Sequence, residues 1–170
     1  MSWVQDSVRK RLPPPVLLLL FLLLDVWSSW PTIIHPNELV TLSLRSGTAA
    51  AIGCVSLYLA LSGLLKLLVN KTTLNALHPE RTRALVTEGC YRFSRNPVYL
   101  GFVGLHASIA LLLGSLTGLL VTPLLFLLLT TLHIQVEEAG MQRLFGYQWN
   151  YYRSMTPRWF SFVLLLRRCR

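Results

Sequence analysis

The chain has 170 residues, of which 53% are hydrophobic and 14% are charged, and its mean hydropathy is +0.50. An ordinary soluble domain carries charge on about a quarter of its residues, so this composition excludes that class and predicts a single membrane domain over residues 1–170. The three cysteines, Cys54, Cys90 and Cys169, have no paired spacing with one another or with histidine. That spacing supports neither a zinc site nor a disulfide framework.

The net charge of +9 would suit nucleic acid binding in a soluble protein, but membrane topology explains it better. Only Arg45 lies outside three basic blocks, 9–11, 66–95 and 143–170, so the blocks hold 15 of the 16 Lys and Arg residues. Cytoplasmic loops collect basic residues in this way, and a polybasic face attracts anionic lipid head groups. We therefore expect a multi-pass protein with both termini in the cytoplasm, a lipid membrane as its partner and no nucleic acid.

Long apolar segments predict an all-α integral membrane protein with about four membrane-spanning helices, since about 20 mostly apolar residues cross the hydrocarbon core. The predicted spans are residues 13–32, 47–69, 98–114 and 117–134. Between the first two, residues 31–46 contain Pro31 and Pro36 and predict a short outer loop or interfacial segment. Asp25, near the end of the first span, is expected at the outer interface, because a carboxylate facing lipid is costly.

Small residues follow one face of the second span at alternating steps of four and three. These residues are Ala49, Gly53, Ser56, Ala60 and Gly63. Small side chains let two helix backbones approach each other closely in a membrane. The pattern predicts that this face packs against a neighbouring helix and carries no chemistry of its own.

The third and fourth spans predict a helical hairpin. The interval 99–134 has its midpoint within 114–118, the one turn-like stretch that it contains. Two arms of equal length return the polar residues at their ends to the same side of the membrane. The hairpin therefore predicts that the segment 95–101 meets the pair Glu137 and Glu138.

The two adjacent glutamates lie at the edge of an apolar run and need partners, because a buried carboxylate is costly unless it is paired. Arg92, Arg95 and His133 can supply such partners once the hairpin closes. From the residues alone, a structural ion-pair network and a ligand site are equally good interpretations.

No acidic residue follows Glu138, and apolar and basic residues alternate along the chain after it. This alternation predicts a C-terminal cytoplasmic amphipathic helix that lies on the membrane. A short anchor is expected at 162–166, because that apolar run is too short for a fifth span.

Four features in order resemble the isoprenylcysteine carboxyl methyltransferase and phospholipid methyltransferase superfamily. They are the segment 85–101, the pair Glu137-Glu138, and the later Phe145-Gly146 and Tyr151-Tyr152. The superfamily pattern is Gly-Pro-Tyr-Arg, then Arg-His-Pro or Arg-Asn-Pro, then x-Tyr-x-Gly, an apolar stretch and Glu-Glu. The chain departs from it at Cys90, where Pro is common, and carries Asn96 where the prenylcysteine enzymes usually have His.

The resemblance implies a membrane-embedded methyltransferase that binds S-adenosyl-L-methionine at the cytoplasmic side, within about residues 74–160. The implied cofactor-binding residues are Tyr91, Arg95, Asn96, Pro97, Tyr99, Gly101, Glu137 and Glu138. Arg95 can pair with the cofactor carboxylate, and either glutamate can accept from its ammonium group or ribose diol. The two tyrosines can pack on adenine, and Gly101 lets a helix backbone approach the ligand.

The implied reaction is methyl transfer to a lipophilic or small-molecule acceptor that is a carboxylate, an amine or a thiol. A carboxylate needs no base, whereas an amine or thiol must lose a proton. His133, one helical turn before Glu137, is the candidate catalytic residue for that step. The other interpretation of His133 is a histidine hydrogen-bonded at a helix end, and His106 is expected to serve packing.

Two other function classes remain open from the sequence. One is a small membrane scaffold or subunit without activity, and the other, more distant, is a dinucleotide-dependent membrane reductase. No strand followed by a Gly-rich turn is evident, so a Rossmann-type cofactor site is not expected.

Overall fold

A computed structural model describes residues 8–9, 11–33, 39–70 and 84–160, and every regular element in these ranges is helical. The long helices are α1 (Pro14–Ile33), α2 (Leu39–Val69), α3 (Pro97–Leu113), α4 (Leu116–Leu128) and α5 (Gln135–Met155). A 3-10 turn, Gly89–Arg92, precedes α3, and a π-helical turn, Leu129–Ile134, joins α4 to α5. The predicted all-α class is confirmed for these residues.

Two of these helical stretches are long and apolar enough to cross a membrane. They are Leu44–Val69 and Leu116–Met155. The shorter apolar helices, Pro14–Ser29 and Pro97–Leu113, coincide with the first and third predicted spans. The predicted number of four spans stays a prediction, while the apolar helices themselves are present where the sequence places them.

The interpretation of 31–46 as an outer loop is wrong at both of its ends, while the other interpretation, an interfacial segment, stays a prediction. Helix α1 continues to Ile33 and α2 already begins at Leu39, so both ends of the predicted loop are helical. Residues 34–38 lie outside the described ranges. The apolar and polar residues of 39–46 are all compatible with a helix, and only Pro36 and its neighbours oppose one.

Helix α2 packs along α3 through the small residues of its predicted stripe, which confirms that prediction. A Cβ atom placed on Gly101 of α3 would lie 2.5 Å from the Ser56 carbonyl oxygen and 2.8 Å from the Ala60 nitrogen. Farther along, the Ser108 hydroxyl donates to the Ala49 carbonyl oxygen at 2.8 Å. The backbones therefore touch with no room for a larger side chain.

Helices α3 and α4 form the predicted hairpin, with a turn of two residues. Gly114 ends α3 in the left-handed region, at φ 68°, which glycine adopts without steric cost. Ser115 then caps α4, its side chain accepting from the Gly118 N–H at 2.9 Å. A Cβ on Gly114 would lie 2.4 Å from Arg45 Nη1, so the one basic residue outside the three blocks lies at the turn end of the hairpin.

Asp25 is fully buried in the bundle, close to the turn end of the hairpin, so it is not exposed to lipid or water; its expected depth near the outer interface stays a prediction. Its Oδ2 atom is 3.1 Å from His106 Nε2, and both side chains are 0% exposed. A Cβ on Gly118 would lie 2.2 Å from Asp25 Oδ1, so this glycine makes room for the carboxyl group. His106 packs edge-on against Phe21, as expected of a packing residue, but it also binds a carboxyl group on another helix.

A hydrogen bond orients the His106 ring. The Thr122 hydroxyl donates its single proton to the Gly118 carbonyl oxygen, so it must accept from His106 Nδ1, 3.0 Å away. His106 Nε2 and Asp25 Oδ2 face each other at 3.1 Å, but the geometry of this contact is not that of a hydrogen bond. The two side chains are therefore close polar neighbours in a dry interior, where each needs the other to limit the cost of burial.

Replacing Asp25 with alanine is expected to lower the free energy of unfolding by about 1–2 kcal/mol, because His106 Nε2 loses its partner in a dry interior. Asp25→Asn is the matched control, since its amide N–H can donate to a neutral Nε2 and should retain most of the stability. Thermal unfolding of both variants in detergent measures the difference. Equal melting temperatures for Asp25→Ala and the wild type would show that the contact between Asp25 and His106 contributes nothing.

The fourth predicted span runs into the C-terminal helix without a break, whereas the sequence predicts two separate helices; the interruption comes later, at Gly146, whose φ of 45° and ψ of −109° put a kink in α5. The π turn widens the helix, and the Thr130 and Thr131 hydroxyls donate to the Phe126 and Leu127 carbonyl oxygens at 2.7 and 2.9 Å. Such a turn alters the register, so the residues of α5 face a direction that an uninterrupted α-helix would not give them. The predicted anchor at 162–166 lies outside the described residues.

Candidate functional site

The hairpin brings the segment 95–101 and the two glutamates together, as the sequence predicts. Arg95 Nη2 lies 3.0 Å from Glu138 Oε1, and the Tyr99 hydroxyl donates to Glu137 Oε1. Arg95 immediately precedes α3 and both glutamates lie in the first turn of α5. The site therefore forms where the open ends of the hairpin meet, at the end opposite the turn.

Glu138 lies between two arginines. Besides Arg95, it accepts from Arg158 Nε, which is 3.1 Å from each carboxylate oxygen, and from Arg158 Nη2, 2.6 Å from Oε2. The Arg95 side chain is 7% exposed and that of Glu138 is 10% exposed. These bonds compensate for the burial of the carboxylate, as a buried charge requires.

The two guanidinium groups respond differently to this environment. Burial lowers the pKa of Arg95, although the Glu138 carboxylate opposes the shift. Hydrogen bonds to Glu138 raise the pKa of Arg158. Arginine's ordinary pKa is so high that both side chains keep their charge at neutral pH, so these two arginines and Glu138 together carry one net positive charge.

Part of the Arg95 guanidinium is buried without a partner. Its Nε and Nη1 atoms make no hydrogen bond to any residue that the structure describes. Its Cζ atom lies 5.4 Å from the centre of the Trp149 ring, which is buried and stabilises the cation through its π face. Buried N–H donors that lack an acceptor are costly, so this guanidinium is prepared to receive an anionic group.

Arg95, Arg158 and Glu138 form what we call the charged cluster, or the cluster. Tyr99 and His133 lie in the protein interior beneath it. The Tyr99 ring stacks at 6.5 Å on His133 and meets Phe102 edge-on at 6.4 Å. Because these contacts occupy the Tyr99 ring, the structure does not support the prediction that adenine packs on it. The Tyr99 hydroxyl group is the part of the side chain that reaches the site.

His133 is fully buried, and its Nε2 lies 3.0 Å from the Leu12 carbonyl oxygen. A carbonyl oxygen only accepts, so Nε2 carries the proton and Nδ1 has the lone pair. Nδ1 is buried and has no hydrogen-bond partner among the described residues. His133 is therefore hydrogen-bonded through Nε2, as one of its two interpretations predicts. Its Nδ1 atom still has a lone pair that can accept a proton.

The other predicted site residues hold the protein together around the cluster. Tyr91 accepts at its carbonyl oxygen from the Tyr152 hydroxyl at 2.7 Å, and burial raises the pKa of its own phenol, which stays protonated. Pro97 is the first residue of α3, where its missing N–H costs nothing. Gly101 lies against α2, so the close approach that it permits is to a helix.

Asn96 connects the site to the C-terminal end of the described chain. Its Nδ2 atom donates to the Arg158 carbonyl oxygen at 3.0 Å, and its own N–H donates to the Ser94 hydroxyl at 3.0 Å. The side chain that departs from the histidine of the prenylcysteine enzymes thus holds a backbone segment in place.

A groove of about 450 Å³ lies beside the cluster, between the segment before α3 and the second half of α5. Its lining residues are Leu85, Thr87, Arg92, Tyr147, Gln148, Tyr151, Tyr152, Met155 and Thr156. None of the predicted site residues lines it. Arg92, a predicted partner of the glutamates, lies here, and the volume is in the range of ordinary small-molecule sites.

Sequence reasoning missed Arg158 and Trp149, the two side chains that complete the surroundings of Glu138 and Arg95. The general excess of basic residues hid Arg158, because membrane topology accounts for such an excess without any site. Trp149 fitted the apolar face of the predicted amphipathic helix.

The model of the phospholipid methyltransferase family matches residues 44–148, more than half of the chain. The chain belongs to this family. The match contains both predicted clusters and the helices that join them, whereas Arg158 lies beyond it. The superfamily resemblance seen in the sequence is thereby confirmed, and membrane association, supported by the family and by the two long apolar helices, agrees with it.

One curated relative of this family member is Protein-S-isoprenylcysteine O-methyltransferase from Schizosaccharomyces pombe. The two are 27% identical over 124 residues, which cover 72% of this chain and 52% of the relative. The chain thus spans about half the length of the curated relative that it matches. No solved structure matches the chain. Family and relative both indicate a methyltransferase.

Proposed function

We propose that this protein transfers a methyl group from S-adenosylmethionine to a lipophilic acceptor at the cytoplasmic face of a membrane. The family and the relative are methyltransferases by name. The acceptor class is a lipid-like or small molecule that carries a carboxylate, an amine or a thiol. No observation on the described residues favours a scaffold or a reductase.

The observation that carries the proposal is the partly unsatisfied guanidinium of Arg95. Its free Nε and Nη1 donors lie in a buried position next to Glu137 and Glu138, the last two acidic residues of the sequence. A cofactor with an amino-acid end brings one carboxylate and one ammonium group. Arg95 fits the carboxylate, and the glutamates supply the negative charge that an ammonium group needs.

When bound, S-adenosylmethionine supplies an electrophilic methyl group on a sulfonium, which the acceptor's lone pair attacks while the sulfur keeps the electrons of the broken bond. The chain's contribution is to hold both reactants in line and to exclude water. The buried rings of Tyr99, His133 and Trp149 provide the dry surroundings.

His133 is proposed to act only for acceptors that must lose a proton. Its Nδ1 lone pair can accept that proton, whereas a carboxylate acceptor is already deprotonated and makes no such demand. His133→Gln keeps an N–H near the Leu12 carbonyl oxygen and removes the base. We expect methyl transfer to an amine or thiol to fall by about 100-fold or more, and transfer to a carboxylate to be unchanged.

Initial rates with radiolabelled cofactor and acceptors of both kinds measure this effect. His133 would have no catalytic part if the variant transferred to amines and thiols at the wild-type rate.

The lipid surface is the proposed source of the acceptor. Exposed apolar and aromatic side chains follow one face of α5 after Gly146 at helical spacing, namely Tyr147, Tyr151 and Met155. Tyrosine favours the boundary between lipid and water, and the basic blocks suit a cytoplasmic leaflet. These features support a cytoplasmic site that receives its acceptor from the membrane, with both termini on that side.

The decisive experiment is calorimetry with S-adenosylhomocysteine on protein purified in detergent, followed by a screen with labelled S-adenosylmethionine over lipid and thiol extracts. Binding, together with label in a lipid-soluble product, is the expected result. Absence of binding at millimolar ligand would sink the methyltransferase proposal.

A further inference from the structure

A short segment after α5, residues 156–160, which we call the C-terminal strap, closes over the start of α3. The Arg95 N–H donates to the Pro157 carbonyl oxygen at 2.9 Å. The Arg158 carbonyl oxygen accepts from Asn96 Nδ2 at 3.0 Å and from the Ser94 hydroxyl at 3.3 Å. Three hydrogen bonds thus hold the strap where its Arg158 side chain reaches Glu138.

The Arg158 side chain fills most of the hydrogen-bonding capacity of Glu138. A carboxylate has about four lone-pair positions. Arg158 approaches both oxygens and Arg95 approaches Oε1. Both oxygens of Glu138 are therefore engaged, and the buried donors of the cluster that lack a partner are Nε and Nη1 of Arg95.

We infer that Arg158 is a positioning residue of the cofactor site, which holds Glu138 so that the remaining N–H donors of Arg95 receive the carboxylate of the cofactor's amino-acid end. This inference rests on the proposed function and changes the role of Glu138. Glu138 orients two arginines, and the group that meets the ligand is Arg95.

Electrostatics predicts whether the loss of Arg158 strengthens or weakens binding of the cofactor's carboxylate. The two arginines and Glu138 together carry one net positive charge, which favours an incoming carboxylate. Removing the charge of Arg158 leaves that sum at zero and frees one side of Glu138. The freed carboxylate oxygens then compete for the donors of Arg95 and repel a second carboxylate nearby, so anion binding weakens.

The test compares two ligands that differ only at the amino-acid end. S-adenosylhomocysteine carries the carboxylate and ammonium groups, whereas 5′-methylthioadenosine has the same nucleoside sulfide without them. Calorimetry measures the Kd of both for the wild type, Arg158→Gln, Arg158→Lys and Arg143→Gln, all purified in detergent. Arg143 is exposed on α5 and controls for the loss of one positive charge.

For Arg158→Gln we expect a Kd for S-adenosylhomocysteine that is about tenfold higher or more, as for the loss of a charge-assisted hydrogen bond. The Kd for 5′-methylthioadenosine should change less than about twofold. Arg158→Lys should give an intermediate value, because lysine supplies the charge without the planar fork. Arg143→Gln should match the wild type with both ligands.

Three results would overturn the inference. An unchanged Kd for S-adenosylhomocysteine in Arg158→Gln would show that Arg158 has no part in binding. Equal weakening of both ligands would assign it a merely structural role. Wild-type protein that binds neither ligand would overturn the proposed function itself, an outcome distinct from the first two, in which the wild type binds.

Discussion

Arg95→Gln is expected to weaken S-adenosylhomocysteine binding by at least about 100-fold, which corresponds to about 2.7 kcal/mol. The variant removes the only guanidinium of the cluster that has free buried donors. It leaves Glu138 bound to Arg158, so no buried carboxylate loses all its partners and the protein should still fold. The Kd from calorimetry in detergent measures the loss.

Arg95→Lys is the conservative comparison. Lysine keeps the charge over Trp149 but cannot offer two donors in one plane, so its affinity should fall between those of the wild type and Arg95→Gln. A wild-type Kd in Arg95→Gln would mean that the cofactor binds elsewhere, with the groove between residues 85–87 and α5 as the next place to look.

Gly101→Ala is expected to lower the free energy of unfolding by about 3 kcal/mol or more, at the upper end for an overpacked core. The added Cβ would lie 2.5 Å from the Ser56 carbonyl oxygen and 2.8 Å from both the nitrogen and the Cβ of Ala60. Two of these three atoms belong to the backbone of α2 and cannot turn away, so the two helices must separate.

Gly47→Ala, on α2 itself, provides the matched control. A Cβ at that position would meet nothing within 4 Å, and alanine favours a helix over glycine by about 1 kcal/mol. The control should therefore melt at the wild-type temperature or above it. A Gly101→Ala protein that melts like the wild type would mean that α2 and α3 do not pack as closely as described.

The hairpin, and the contact between the polar residues at its two ends, were predictable because they depend on distances along the chain. Arms of similar length on either side of the turn-like stretch 114–118 bring Arg95 back to Glu138 whatever the side-chain details. The stripe of small residues on α2 was predictable for a related reason, since a repeat at helical spacing defines a face before any partner is known.

What escaped prediction depends on three-dimensional neighbours. Asp25 looked like an interfacial carboxylate because its partner, His106, lies 81 positions away, on another helix. Arg158 was one basic residue among many, and only the folded chain singles it out as the bidentate partner of Glu138. The π turn left no mark in the sequence, yet it sets the direction in which both glutamates point.

The joint between α4 and α5 has a mechanical consequence. The π turn connects α4 to α5 without a break. The glutamates therefore lie on the same continuous helix that begins at the hairpin turn and lines the apolar interior, and this helix can move as one rod. A helix that crosses a bilayer can adapt to a change in hydrocarbon thickness by tilting. Tilting displaces the end away from the hairpin turn, where the glutamates lie, parallel to the membrane plane. If α4 crosses the bilayer as the fourth predicted span requires, the thickness of the host membrane is one of the variables that position Glu137 and Glu138 relative to the start of α3.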